Sequence, residues 1–309
     1  MRRILSIDGG GIRGVFPASF LASLEDAIQD SVANYFDLIV GTSTGGIIAL
    51  GLGLGYSAKQ MLTFYEIYGP QIFAGSRLGR TVRHLFLTKY NADPLRRALQ
   101  ETFGDKRLGE SLRRLIIPSS NLDTGEVHIW KTAHHPRFET DYRAKVVDIA
   151  LATAAAPTYF PAHRLSSGTP LVDGGMWANN PVGVSVVEAV GVLEWPTDEI
   201  LLLSLGCTST PLNVKAIHWG WGYWGPKIVG VFMSTQSSAA VGTATHLLAN
   251  RNNLIRICPS VGDRFALDLV TEIPSLKGLG ASEARKETAR LRPLFFTEPA
   301  EVFEPFHVL

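Results

Sequence analysis

A serine flanked by glycines, an aspartate leading a run of three glycines, and a second aspartate followed by two more could together break an ester. Ser43 sits in Gly41-Thr42-Ser43-Thr44-Gly45. Small residues on both sides permit a sharp turn that lifts a hydroxyl clear of the chain, where it can act as a nucleophile. A serine hydroxyl attacks poorly until a base lying within about 2.6 to 3.2 Å takes its proton. Asp173, followed by Gly174 and Gly175, is a carboxylate with no bulk after it and suits that task, although Asp-Gly-Gly by itself is more often a turn than a catalytic site. The negative oxygen formed by such an attack needs preorganised donors, each worth roughly 3 to 4 kcal/mol in the transition state. The run Asp8-Gly9-Gly10-Gly11-Ile12-Arg13-Gly14 exposes backbone N–H groups without side chains in the way, and Gly10 and Gly11 are the expected donors. Arg13 either orients that loop, faces an acidic head group, or pairs with an acidic neighbour.

These residues act together only if the chain brings three turns to one place. Residues 4–7 are apolar and read as a strand, 9–14 as a glycine turn, and the next stretch as a helix with Leu21, Leu24 and Ile28 on one face. A second unit repeats the rhythm at once: strand 36–40, turn 41–46, helix from 47. Successive strand–turn–helix units imply a parallel sheet with helices on its faces, and such turns lie along one sheet edge. Asp93-Pro94 starts a helix with Asp93 as its cap, ending near Gly104. Residues 115–117 and 127–130 read as strands around the turn Asp123-Thr124-Gly125, 146–155 as a helix, 171–172 as a strand entering Asp173, and 200–205 as a buried strand. With no linker or repeat, the expectation is one domain over 1–309, with 219–223 and the region from Leu276 as elaborations.

Composition bounds the partners. The 309 residues are 46% hydrophobic and 18% charged, with 29 basic against 28 acidic side chains. That balance gives no electrostatic reason to expect nucleic acid or a general attraction to anionic lipid. Met1-Arg2-Arg3 is basic, but the apolar stretch behind it is too short for a signal-peptide core, so a cytoplasmic chain is expected. Cys207 and Cys258 are too few for a disulfide framework or zinc cluster. His134-His135 has no carboxylate or cysteine at zinc spacing and reads as loop. Trp219, Trp221, Tyr223 and Trp224 suit either a loop dipping into lipid or rings packed on the core. Arg77, Arg80, Arg83, His84 and Lys89 form a basic stretch, read as a solvated face or a phosphate contact.

Four segments in order, DGGGIRG at 8–14, GTSTGG at 41–46, AAPTYFP at 155–161 and VDGGMWANNP at 172–181, resemble the signature blocks of patatin-like phospholipases. The resemblance covers the first two-thirds of the chain. It implies a three-layer α/β/α fold with a mainly parallel sheet, and hydrolysis of fatty-acyl esters of membrane phospholipids by a Ser-Asp dyad. Carried over by motif, Ser43 is the nucleophile, Asp173 the base, Gly9, Gly10, Gly11, Arg13 and Gly14 the oxyanion loop, Gly41, Thr42, Thr44 and Gly45 the elbow, and Gly174 and Gly175 the turn at the base. No metal or organic cofactor enters this scheme.

The compact form also resembles bacterial members of the family, some of which are antiviral effectors switched on by cyclic nucleotides. A cyclic-nucleotide activator, peripheral contact with the inner membrane and a homo-oligomer are accordingly expectations, with a sensor pocket sought in the basic stretch and between Cys207 and Gly262. Three other readings compete. Gly9, Gly11 and Gly14 fit the GxGxxG of a dinucleotide-binding oxidoreductase, but the second strand ends in Gly41-Thr42-Ser43 rather than in the acidic residue that fold uses for ribose. A non-catalytic lipid-binding or storage protein on the same fold is opposed by the intact Ser43 and Asp173. A Ser-Asp-His triad would draw on His246 or His307, which sit in a helix and at the chain end rather than in glycine turns.

Overall fold

The computed structural model describes residues 1–74, 88–209, 221–261 and 265–309. Both expected units form at the N-terminus: β1 (Arg2–Ile7) leads to α1 (Val15–Ile28), and β2 (Leu38–Gly41) to α2 (Thr44–Gly53). There follow α3 (Ala58–Ile72), α4 (Asp93–Phe103), β3 (Arg114–Asn121), β4 (Val127–Lys131), α5 (Val146–Thr153), β5 (His163–Arg164), β6 (Pro170–Asp173), α6 (Gly175–Ala178) and α7 (Val182–Gly191). The last third supplies β7 (Ile200–Leu205), α8 (Trp221–Leu247), β8 (Leu254–Ile257) and α9 (Ile273–Phe295). Strands β8, β7, β1, β2 and β3 run parallel in that order, while β4, β6 and β5 add antiparallel pairs.

The sheet is apolar on both faces, because successive side chains of a strand point to opposite sides. Leu5, Ile7, Ile39, Ile117, Leu203 and Leu205 join the larger core with α1, α2, α3, α4, α5 and α9, whereas Ile4, Leu38, Val40, Ile116 and Leu202 join a second core with α7 and α8. This is the expected three-layer arrangement. Several local expectations change. Asp93 lies inside the first turn of α4 and Ala92 takes the cap position. The region from Leu276 is no appendage: α9 packs along α1, where Gly280 has no side chain to collide with the Phe16 carbonyl, and Phe295 meets Phe36 at 5.8 Å between ring centroids. Trp221 and Tyr223 belong to α8 rather than to a loop, and Trp219 lies outside the described residues. Arg77, Arg80, Arg83 and His84 also lie outside them, while Lys89 pairs with Asp268 at 2.5 Å. His134 lies in the loop after β4 as expected, but buried, with Nε2 3.0 Å from Glu188 Oε1.

Candidate active site

Strand β3 brings the serine and the aspartate together. Ile116 pairs with both β2 and β4, and Ser119 with both β4 and β6, so β2 and β6 share one edge of β3. They approach from opposite directions, since β2 runs parallel to β3 and β6 antiparallel. Their C-terminal ends therefore meet head to head, Val40 opposite Ile116 and Asp173 opposite Ser119, with Pro118 in the gap. Asp173 thus reaches Ser43 along a strand edge and not from a further parallel strand.

The gap is sealed by hydrogen bonds. Thr153, at the end of α5, donates its hydroxyl to Pro118 O at 2.6 Å and accepts the Ser43 N–H at 3.0 Å. Thr42 Oγ1 donates to Ala178 O at 2.6 Å, and Thr44 Oγ1 to Gly11 O at 2.8 Å, so the elbow is tied to α6 and to the glycine loop. Ser43 itself adopts φ 55 and ψ −122, a conformation that costs a non-glycine residue about 1 to 3 kcal/mol and persists only where its surroundings enforce it. Gly45 is required by close approach: a Cβ there would stand 2.3 Å from the Ile7 carbonyl.

Ser43 Oγ donates to Asp173 Oδ2 at 2.7 Å, and Gly175 N–H donates to Asp173 Oδ1 at 2.7 Å. Both side chains are buried. Burial disfavours the charged carboxylate and pushes Asp173 up to about 6, against the opposing pull of the Ser43 and Gly175 bonds. The contact between serine and carboxylate is direct, with no ring between the two groups. His246 is exposed at the end of α8 and His307 bonds Pro136 O at 2.6 Å, so neither completes a triad.

The glycine loop divides its donors. Gly9 N–H is taken by Asn179 O at 2.9 Å, whereas Gly10 and Gly11 N–H bond nothing among the described residues. Ile12 and Arg13 N–H are used internally, by Leu267 O at 2.8 Å and Gly10 O at 3.1 Å. Arg13 Nε also reaches Gly10 O at 3.3 Å, and Arg13 lines the same cavity as Ser43. The base of the loop is held from across the sheet: Arg256, at the end of β8, grips Asp8 with Nη1 at 3.0 Å and Nη2 at 2.5 Å and Ser204 Oγ at 2.6 Å. Cys207 lies under Gly10 and donates its thiol to Asp8 O at 3.2 Å, and burial raises its pKa far above that of a reactive thiol.

Ser43, Asp173, the glycine loop, Cys207 and Arg256 line a cavity of about 1240 Å³, whose apolar wall includes Ile47, Phe64, Ile72, Phe73, Leu95 and Phe160. Thr208 also lines it, held at φ 89, where a β-branched residue is rarely found, and its buried hydroxyl has no partner among the described residues. Thr153, Arg256, Asn179 and Thr208 were not picked out from the sequence. The partners of Thr153 and Arg256 lie far along the chain, 110 and 248 residues away, and no local motif marks these two, whereas Asn179 falls inside the VDGGMWANNP segment.

Known proteins are similar to this chain in sequence. The cGAMP-activated phospholipase of Pseudomonas aeruginosa is 36% identical over 294 residues, covering 92% of this chain and 85% of that one. The cGAMP-activated phospholipase of Vibrio cholerae is 31% identical, covering 98% and 96%. Patatin-like protein 4 of Arabidopsis thaliana is 29% identical, covering 82% and 75%. The profile of the patatin-like phospholipase family matches residues 5–185 of the 309, spanning β1, the glycine loop, the elbow, β6 and α6. By that match and by these relatives, the chain belongs to the patatin-like phospholipase family.

Proposed function

We propose that the protein is a serine acyl hydrolase that cleaves fatty-acyl esters of membrane phospholipids, with Ser43 as nucleophile and Asp173 as base. The observation that carries this reading is the 2.7 Å bond from Ser43 Oγ to a buried Asp173 at the floor of an apolar cavity. Asp173 takes the hydroxyl proton as Ser43 Oγ attacks the ester carbonyl. Gly10 and Gly11 N–H receive the oxyanion, helped by the positive end of α2, which starts at Thr44. When the tetrahedral adduct collapses, Asp173 returns the proton to the departing alcohol oxygen and the acyl group stays on Ser43. A water then gives a proton to Asp173 and attacks the acyl-serine, and Asp173 returns that proton to Ser43 Oγ as the fatty acid leaves. The cavity exceeds the usual volume of roughly 300 to 1,000 Å³ for small-molecule sites, which suits a long acyl chain.

Control by a cyclic nucleotide, peripheral action at the inner membrane in antiviral defence, and self-association belong to the same proposal. Support for nucleotide control comes from the two bacterial relatives, which are named for activation by cGAMP. No helix among the described residues is long and apolar enough to cross a membrane. The whole chain is taken to work as one unit, because α9 and β8, from its last third, complete the core and hold the glycine loop.

Fatty-acid release from mixed phospholipid vesicles, measured with and without a panel of cyclic di- and trinucleotides, tests this. Wild type releases fatty acid in excess chelator and responds to one nucleotide, while Ser43→Ala and Asp173→Asn release none. Release that survives both substitutions rejects the dyad, and indifference to every nucleotide in both activity and melting temperature rejects the activator.

A further inference from the structure

Helix α8 carries no charged residue across 228–245, eighteen positions in which this chain's 18% charged content would place about three. It is not buried enough to explain that. Val229 and Phe232 are exposed at 62% and 66%, and Gly230, Ser234, Thr235, Ala239 and Thr243 are exposed as well. Only its inner side, with Ala240, Val241 and Ala244, packs into the core with α7. Beside it lies α6, where Met176 is 61% and Trp177 37% exposed. The two are fixed together, since Gln236 accepts the Asn179 N–H at 2.9 Å and Asn180 Nδ2 donates to Ser237 Oγ at 2.9 Å. Four large apolar side chains thus share one uncharged surface.

That surface is continuous with the cavity. Met176, Val229, Gly230 and Ser234 are exposed and also line it, and every exposed lining residue among those described is uncharged. A second protein copy seated there would lie across this rim. A lipid surface would instead offer its esters directly to it. We propose that the outer face of α8 and α6 is a lipid-docking surface that enters a phospholipid leaflet and feeds acyl chains to Ser43. This rests on the hydrolase reading above. The face has bulky apolar residues set among Ser, Thr, Gly and Ala, with no Lys or Arg between 228 and 245. Docking is therefore driven by apolar burial at gaps in lipid packing, and not by attraction to anionic head groups.

The full chain carrying Ser43→Ala, which leaves lipid intact, is floated with phosphatidylcholine vesicles. Binding is expected without anionic lipid, unweakened by high salt, and stronger on small, highly curved vesicles than on large ones. Phe232 does not line the cavity, so Phe232→Ser in this background lowers binding about tenfold, and Phe232→Trp retains it. With Ser43 present, Phe232→Ser loses vesicle hydrolysis by a similar factor but cleaves a dissolved short-chain ester as wild type does. Flotation unchanged by Phe232→Ser, binding that requires anionic lipid and vanishes in salt, or a dimer that Phe232→Ser dissociates without changing flotation would each overturn the proposal. Failure of the hydrolase reading shows separately, as cleavage of the dissolved ester that does not depend on Ser43.

Discussion

Burial sets the working pH of Asp173. With the carboxyl pushed up to about 6, Asp173 is ionised at neutral pH, as the proposed base must be, and neutral in mild acid. Turnover on a dissolved ester should rise with pH along a one-proton curve centred near 6 and then level off. A curve centred near the ordinary carboxylate value, or one falling in this range, would contradict a buried carboxylate base. The same shift has a stability consequence of opposite use. Between about pH 4 and 6 the native state keeps a proton that the unfolded chain has released, so stability falls as pH rises through that window. Asp173→Asn removes the buried charge and should stabilise the protein at neutral pH by on the order of 2 kcal/mol while abolishing activity, the gain fading below about pH 4. Equilibrium denaturant unfolding at the two pH values checks this. At this scale Ser43, Asp173, Gly10 and Gly11 were legible because each stands in a short strand–turn signal. Gly9 was read as part of the same hole, but the carbonyl that takes its N–H belongs to Asn179, which no local pattern connects to it.

At the scale of elements, the reactive geometry is a meeting of two strand ends on one edge of β3, held by Thr153. Its hydroxyl satisfies both the Ser43 N–H and the Pro118 carbonyl. Thr153→Val keeps the shape and leaves those two buried groups unpaired, at a cost of about 1 to 3 kcal/mol each. The expected outcome is a lowered unfolding midpoint and a kcat reduced about tenfold or more even at temperatures where the variant is fully folded, because the strained Ser43 conformation loses its anchor. Unchanged kcat in the folded variant would mean that the elbow holds without Thr153. The N-terminal units were readable from periodicity and glycine turns. Helix α3 was left unassigned although Ser57 and Gln60 form its capping box, a signal present in the sequence. The start of α8 reads as loop because Gly222, Gly225 and Pro226 are poor helix formers. The antiparallel course of β6 was not legible, since strand direction is set by pairing with β3.

At the scale of the molecule, the last third of the chain finishes a site that the first two-thirds announce. Arg256 secures Asp8, α9 covers α1, and Arg3 Nη1 donates to Phe295 O at 3.0 Å, joining the first strand to the last helix. Such long-range closure explains why motifs named the chemistry while the C-terminal region read as elaboration: its apolar positions face a partner more than 200 residues away. One outer face, that of α8 and α6, stays uncharged beside the cavity, which gives the molecule a direction of approach to lipid. The most direct measurement of the central claim is trapping with a fluorophosphonate that bonds only an activated serine, located by peptide mass spectrometry, in the presence and absence of cyclic GMP-AMP. The expected result is one adduct, on Ser43, absent from Ser43→Ala and from Asp173→Asn although the latter keeps the serine. An adduct on another residue, or undiminished labelling of Ser43 in Asp173→Asn, would contradict a hydrolase built on this pair.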